Sequence, residues 1–308
     1  MSEHMRLLIA YDGSACSKEA LNDLSRAALP AQCDALVVSV CDAGLPPDVA
    51  PAADVGDGAQ ALVIAREIET LVEESKSRAL KAVDETRRLV DDAIQHLMTN
   101  FPAWQMHGQA MIGDPSLAII KEAVEWNVDL IVVGTHARSA LGRLMLGSVS
   151  HEVARGAACS VRIAHRPAER QDVPIRIVIG LDGPQGQTIL ENVARRTWPA
   201  GSGALIVARD QRTESREGDA ELTLAQFVAS AEEDLRAAAG LHVSTTFADG
   251  EPEKSLIAEA KRFDADCIFI GAGGANDGHD AWGRGTLSPA LLNGAPCSVE
   301  VVRQGRAG

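Results

Sequence analysis

Short apolar runs alternate with longer stretches of helical periodicity along the first half of the chain. The runs Leu7–Tyr11, Ala35–Val40 and Leu130–Val133 consist almost wholly of apolar residues, which is typical of strands buried on both faces. The segments between them repeat their apolar positions every three to four residues, as helices do. The order β-α-β-α-β-α-β-α-β predicts a doubly wound parallel sheet flanked by helices.

Polar residues mark where several of these helices are expected to begin. Ser14 or Ser17 is a suitable cap for the first helix, because a serine side chain accepts a hydrogen bond from the first turn. Asp114 precedes Pro115, and proline is favoured in the first helical turn. A last short helix is expected to start at Ser148 and to lead into the final strand of this half.

The second half of the chain repeats the first. Four blocks match in the same order: 5–14 with 175–184, 34–40 with 203–209, 112–137 with 249–274, and 147–164 with 285–302. The polar segment 165–174 carries two prolines and has the composition of a linker. We therefore expect two tandem domains, 1–168 and 172–308, each with a five-stranded parallel sheet.

The two copies differ most in one helix. Residues 59–99 have the pattern of a long, charged amphipathic helix, whereas the corresponding pattern in the second copy, 219–239, is shorter. Acidic pairs on the longer helix are interpreted as a solvated face rather than a metal site.

Composition narrows the function classes. The 308 residues are 46% hydrophobic and 23% charged, with a formal net charge of −14, which argues against nonspecific binding to nucleic acid or anionic membranes. No apolar run reaches the roughly 20 residues of a membrane span, and the first residues lack the pattern of a signal peptide. Six cysteines without a CxxC pair favour a reduced, cytoplasmic protein.

A glycine follows the fourth predicted strand, in the segment GTHARSALGRLMLGS at 134–148. Gly134 would let the backbone turn sharply, and Gly147-Ser148 would open a helix with free N–H groups that suit an anion. Arg138 and Arg143 would add positive charge, or would simply be solvated.

An Asp-Gly pair, Asp12-Gly13, follows the first strand. Ligands of doubly wound sheets bind beyond the carboxyl ends of the strands, where the strand order reverses. If the first and fourth strands are neighbours, this pair and Gly134 share that edge. Asp12 could instead cap the helix that follows.

Several common catalytic motifs are missing from the sequence. It contains no Gly-Lys-Ser/Thr of a P-loop and no G-x-G-x-x-G that opens a helix after a strand. Neither Ser14 nor Ser148 has the G-x-S-x-G context of a nucleophile. His151-Glu152 does not begin an HExxH zinc motif, because Arg155 stands where the second histidine is needed. We predict neither a catalytic residue nor a protein-held metal.

The spacing after the fourth strand resembles that of universal stress proteins, and the whole chain is similar to two such domains fused. Nucleotide-binding members of that family carry G-x2-G-x9-G-(S/T) after the fourth strand and an aspartate after the first. Gly134, Ala137, Gly147 and Ser148 fit this spacing, although Ala137 replaces the second glycine. The resemblance implies that domain 1 binds ATP together with Mg²⁺.

The resemblance also assigns roles at this edge. Asp12 would contact the adenosine part of ATP, and Val40 would lie against the adenine. His136 and Ser150 would lie among the groups around the ribose and phosphates. The full set implied for nucleotide binding is Ala10, Tyr11, Asp12, Gly13, Val40, Val133, Gly134, His136, Ala137, Arg138, Gly147, Ser148, Val149 and Ser150.

The second copy departs from the pattern. Its two glycines, Gly271 and Gly274, are kept, but ten residues instead of nine precede Gly285-Thr286, and Arg209 stands where the first copy has Val40. A weak or empty second site is expected. Its candidate residues are Asp182, Gly271, Gly274, Gly285 and Thr286.

Three functions remain open. The leading one is a non-catalytic, adenine-nucleotide-binding module of the stress response; a scaffold of the same fold without a ligand and a slow ATPase are the alternatives. Neither nucleic acid nor a membrane is an expected partner. The resemblance implies that the two copies pair inside the chain through Ser160–Ala164 and Ser298–Val302, and two chains could pair further as a homodimer.

Overall fold

A computed structural model describes residues 4–41, 59–135, 147–165, 174–181, 186–209, 219–248, 251–272 and 289–304. Ten strands form one sheet in the order β3-β2-β1-β4-β5-β10-β9-β6-β7-β8. The strands are β1 (Met5–Ala10), β2 (Cys33–Cys41), β3 (Gln105–Ile112), β4 (Leu130–Gly134), β5 (Ser160–Ala164), β6 (Arg176–Leu181), β7 (Gly203–Arg209), β8 (His242–Ala248), β9 (Cys267–Gly271) and β10 (Ser298–Val302).

The two halves of the sheet have the same topology. Each half contains five parallel strands, and the first strand of each half lies between its second and its fourth. This confirms the predicted class of two doubly wound α/β units.

Eight helices and one 3₁₀ turn cover the sheet in the described residues. They are α1 (Ala15–Asp23), the 3₁₀ turn Leu24–Arg26, α2 (Ala59–Asn100), α3 (Pro115–Glu125), α4 (Ser148–Gly156), α5 (Gln187–Ala194), α6 (Asp219–Ala239), α7 (Pro252–Phe263) and α8 (Pro289–Gly294). The length difference predicted between the long helices is confirmed, because α2 has 42 residues and α6 has 21. Across these ranges, none of the helices has the length and apolar character needed to cross a membrane.

The helix starts follow the sequence signals. Ser14 caps α1, since its hydroxyl accepts a hydrogen bond from the amide of Ser17 at 3.2 Å. Of the two predicted candidates, Ser14 and not Ser17 is therefore the N-cap. Asp114 caps α3 by accepting from the amide of Leu117 at 2.9 Å, with Pro115 in the first turn. These caps replace hydrogen bonds that the first helical turn cannot make internally.

Apolar side chains fill both faces of the sheet, as the continuous apolar runs require. One cluster lies under α1 and α2 and includes Leu7 and Ile9. On the opposite face, a single cluster contains β5 residues such as Val161 together with β10 residues such as Val299. The cores of the two halves are therefore continuous on that face.

Strands β5 and β10 join the halves and are the neighbouring strands in the described sheet that run antiparallel. Val161 lies opposite Val301, Arg162 opposite Glu300, and Ile163 opposite Val299. These are the two strands through which pairing of the copies was expected.

Candidate functional site

The carboxyl edge of domain 1 is centred on the junction of β1 and β4. These strands are neighbours, with Leu7 opposite Leu130 and Ile9 opposite Val132. The chain leaves β1 towards β2 and leaves β4 towards β5, on opposite sides of this junction. It is therefore the point where the strand order reverses and where doubly wound sheets bind ligands.

Asp12 and Gly13 form a tight turn immediately after β1. The carboxylate of Asp12 accepts a hydrogen bond from the amide of Ser14 at 3.0 Å, and Gly13 has a φ of +76°. A Cβ on Gly13 would lie 2.6 Å from the Cδ2 atom of Leu89. The left-handed backbone favours glycine here, and a side chain would in addition displace the end of Leu89 on α2.

Asp12 is held in its ionised form. Desolvation by its surroundings raises the pKa of this carboxyl, but hydrogen bonds from Ser14 and Ser17 outweigh that effect, and the net pKa lies below its ordinary value. Because Asp12 is exposed and charged at neutral pH, its carboxylate can accept hydrogen bonds from the hydroxyls or amino group of a ligand.

Gly134, at the end of β4, allows a close approach of two backbones. A Cβ at this position would lie 2.7 Å from the carbonyl oxygen of Cys16 and 3.1 Å from the amide nitrogen of Ser17. These atoms belong to the first turn of α1, so the lack of a side chain keeps the α1 start against β4. Asp12 and Gly134 are thereby held at one edge.

Helix α4 is tied to the same strand end. The buried hydroxyl of Ser150 donates to the carbonyl oxygen of Gly134 at 2.6 Å. The N-cap of α4 is Gly147, which has no side-chain cap, and Ser148 is exposed. The amides of the first turn and the positive end of the helix dipole suit a phosphate or another anion.

An apolar wall lies on the α4 side of this edge. Ala10, Val40 and Val149 are partly buried and pack against the cluster that contains Val133. Met111 joins this wall because β3 places it directly opposite Val40. Sequence reasoning missed Met111, since its position depends on the pairing of β2 with β3, and the sequence of β3 has no regular alternation that would have indicated it.

Tyr11 projects to the other face of the sheet. Its side chain is buried in the cluster under α1 and α2, while its amide donates to the carbonyl oxygen of Val38 at 2.9 Å. It also lines a cleft of about 390 Å³ between α1 and α2, beside Leu89 and His96. The structure therefore brings Ala10, Val40, Val133 and Val149 together and leaves the ring of Tyr11 outside that group.

Several predicted residues lie outside the described parts of the chain. In the first copy these are His136, Ala137 and Arg138, together with Arg143; in the second they are Asp182, Gly274, Gly285 and Thr286. Their roles stay predictions.

The second copy has a different edge where it is described. A Cβ on Gly271 would lie 3.5 Å from the Cδ1 atom of Ile189, which is an ordinary contact, unlike the clash at Gly134. Arg209 ends β7 at the position of Val40. A guanidinium there replaces the apolar surface that a flat base would need.

This architecture defines the class of the protein: a tandem pair of doubly wound α/β domains. The model of the universal stress protein family matches residues 107–165 and 176–303. The chain therefore belongs to the universal stress protein family.

Individual relatives support the same assignment. The chain is 42% identical over 55 residues to universal stress protein A homolog 2 of Coxiella burnetii, covering 18% of this chain and 37% of the relative. It is 47% identical over 51 residues to universal stress protein YxiE of Bacillus subtilis, covering 17% of this chain and 34% of the relative. The matched segments thus span little more than a third of these relatives.

One solved structure covers nearly the whole fold. A universal stress protein from Archaeoglobus fulgidus is 20% identical, with a TM-score of 0.59, over 98% of this chain and 97% of that chain. At this identity the likeness establishes the fold alone, including its two-domain extent.

Proposed function

We propose that domain 1 binds an adenine nucleotide, ATP in the first place, and acts as a non-catalytic regulatory module of the stress response. The observation that carries the proposal is the meeting of three kinds of group at one edge: the carboxylate of Asp12, the apolar wall around Val40, and the uncapped start of α4 at Gly147. They suit, respectively, the hydroxyls or amino group of adenosine, the adenine ring and the phosphates.

The chemistry at this edge favours binding over turnover. The hydroxyl of Ser150 donates to the carbonyl oxygen of Gly134, and Asp12 accepts from the amide of Ser14 while its carboxylate keeps acceptor capacity for a ligand. Among the described residues, no base is hydrogen-bonded to the Ser150 hydroxyl, as activation of a serine nucleophile requires.

Magnesium would arrive with the phosphates. Over the described ranges, no group of three or more His, Cys, Asp or Glu side chains is placed to hold a metal ion. Phosphate oxygens commonly supply much of the coordination of a nucleotide-bound Mg²⁺, with waters completing the shell.

The second domain is proposed to have weak or no nucleotide affinity. The contrast between Val40 and Arg209 provides the test, since exchanging these side chains changes the base-facing surface while leaving the backbone pattern alone. Titration calorimetry with Mg-ATP is expected to give one site per chain for the wild type. Val40→Arg should abolish that site, and Arg209→Val should leave it intact.

A result in which Val40→Arg binds Mg-ATP as tightly as the wild type would refute the placement of the adenine. Titration with adenosine separates the base and ribose from the phosphates: affinity for adenosine close to that for ATP would show that the α4 start contributes little to recognition.

A ligand-free scaffold is the second candidate. The observation in its favour is that Asp12, Gly134 and Ser150 each have a structural role that needs no ligand. That function predicts no heat of binding with any adenine nucleotide and no effect of nucleotide on thermal stability.

A further inference from the structure

Two opposite charges face each other at the centre of the junction between the halves. Arg162 on β5 lies directly opposite Glu300 on β10, and both side chains are fully buried. The Nη1 atom of Arg162 is 3.3 Å from the Oε2 atom of Glu300. Burying charges is costly unless they are paired, so this contact demands a reason beyond packing.

Arg162 and Glu300 occupy equivalent positions in the two copies. The repeat aligns 147–164 with 285–302, which places Arg162 on Glu300. In the strand register, Val161 faces Val301 and Ile163 faces Val299. The local two-fold axis relating the strands therefore passes between Arg162 and Glu300, and each faces its own counterpart.

Flanking hydrogen bonds obey the same symmetry. The amide of His165 donates to the hydroxyl of Ser298 at 2.9 Å, and the amide of Arg303 donates to the hydroxyl of Ser160 at 3.1 Å. These two contacts are equivalent in the repeat. Within the antiparallel strand pair, the departure from this symmetry is the sign of the central charge. Outside the strand pair, Arg26 of domain 1 also pairs with Asp266 of domain 2, with 2.8 Å between Nη2 and Oδ2.

The central pair belongs to a row of four charges that alternate in sign. Asp23 binds Arg162, with 2.6 Å between its Oδ2 atom and Nε. Arg162 contacts Glu300, and Glu300 in turn binds Arg196. Asp23 and Arg162 come from domain 1, while Glu300 and Arg196 come from domain 2, so within this row the middle contact is the one that crosses between domains.

Pairing a domain with another copy of itself would change the middle contact from an attraction between opposite charges to a repulsion between like charges. Two β5 strands in this register would place Arg162 against Arg162, and two β10 strands would place Glu300 against Glu300. Each charge would keep its partner from its own domain, but the directly opposed pair would be repulsive. Like charges directly opposite each other destabilise an antiparallel pair, and burial increases the effect.

We propose that the Arg162–Glu300 contact is a specificity device, which makes each last strand accept only the last strand of the other domain. The partner that fits β5 is a β10 strand, and the partner that fits β10 is a β5 strand. Repulsion between copies of the same domain supplies the exclusion, as specificity often requires.

Two variants with complementary charges test the proposal in full-length protein. The first, Asp23→Asn with Arg162→Glu, places two carboxylates at the centre of the junction. The second, Arg196→Gln with Glu300→Arg, places two guanidinium groups there. Within each chain the junction becomes repulsive. When the two chains pair with each other, both junctions become attractive. β5 of the first variant meets β10 of the second, which joins the introduced glutamate to the introduced arginine. β5 of the second variant meets β10 of the first, which restores the native contact of Arg162 with Glu300.

The expected result is a complex that forms only from the mixture. Each variant alone should melt about 10 °C below the wild type, because breaking a buried ion pair is strongly destabilising. Co-expressed, the two should recover most of that loss and co-purify through a tag on one of them, in a one-to-one ratio. Tagged and untagged wild-type chains give the background for co-purification.

Combining all four substitutions in one chain keeps the test decisive if a parent variant fails to fold. This chain restores opposite charges at its own junction and should regain most of the melting temperature without exchanging with other chains. Arg176→Glu is a matched control, because the Nη1 atom of Arg176 also lies 3.3 Å from a carboxylate oxygen, Oδ2 of Asp264, but both side chains are about half exposed. This variant should change neither the melting temperature nor the exchange between chains. Failure of both the mixture and the combined chain to recover stability would overturn the proposal, as would parent variants as stable as the wild type.

Discussion

Replacing Gly134 with alanine is the most direct perturbation of the candidate site, and the second copy supplies its control. The new Cβ would lie 2.7 Å from the carbonyl oxygen of Cys16. Restoring a van der Waals contact requires the two backbones to separate by about 0.7 Å, in a close-packed interior that resists such shifts. At the equivalent Gly271, the new Cβ would meet the end of the Ile189 side chain at 3.5 Å, where no shift is needed.

The expected magnitudes follow from this difference. Overpacking of a core costs about 1–3 kcal/mol, and for a domain of this size each kcal/mol lowers the melting temperature by about 2–4 °C. Gly134→Ala should therefore melt about 2–12 °C below the wild type. Gly271→Ala should stay within about 1 kcal/mol of it, since the loss of glycine flexibility in the unfolded chain offsets small strains.

Differential scanning calorimetry on both variants measures this effect, and a parallel titration with Mg-ATP tests its functional consequence. Because the clash moves the turn that carries Asp12, Gly134→Ala should also weaken nucleotide binding, whereas Gly271→Ala should not. Equal melting temperatures for the two variants would refute the claim that the approach of α1 to β4 depends on Gly134.

Three further predictions concern other parts of the chain. Gly147→Val should lower the affinity for Mg-ATP at least about tenfold by crowding the α4 start; unchanged affinity in a titration would contradict this. Hydrogen bonds from Thr245 and, to a smaller extent, Arg236 lower the pKa of Glu232 below its ordinary 4.5. The ionised carboxylate therefore stabilises the folded state above pH 4.5, and this stabilisation is lost as the pH falls through the lower pKa of the folded state. The urea midpoints of wild type and Glu232→Gln should accordingly converge on acidification, and a constant difference would argue against this linkage. Burial raises the pKa of the Cys33 and Cys267 thiols to about 12, so neither thiol should react with iodoacetamide at pH 8 in the folded protein. Peptide mass spectrometry measures the labelling, and labelling as fast as in urea would contradict this prediction.

Local sequence signals predicted much of the fold. Continuous apolar runs located β1, β2 and β4, and Ser14 and Asp114 marked helix starts, because strand burial and capping depend on residues close in sequence. The polar strand β3 (Gln105–Ile112) was not located. The neighbouring position of β1 and β4, which brings Asp12 and Gly134 to one edge, was only a condition in the sequence analysis, because strand order depends on contacts between distant segments.

What sequence reasoning missed depends on contacts between distant segments. Met111 reaches the apolar wall only through the register of β3 on β2. The four-charge row depends on the antiparallel register that sets Arg162 against Glu300. The alignment of the repeats did hold a signal for it, namely opposite charges at equivalent positions of two otherwise apolar strands.

The released-nucleotide assay tests the central claim most directly. Freshly purified, unstripped protein is denatured, and the supernatant is analysed by mass spectrometry for adenine nucleotides and their amount per chain. We predict about one per chain, lost in Val40→Arg and retained in Arg209→Val. No released nucleotide, together with no thermal stabilisation of the wild type by millimolar Mg-ATP, would contradict nucleotide binding by domain 1.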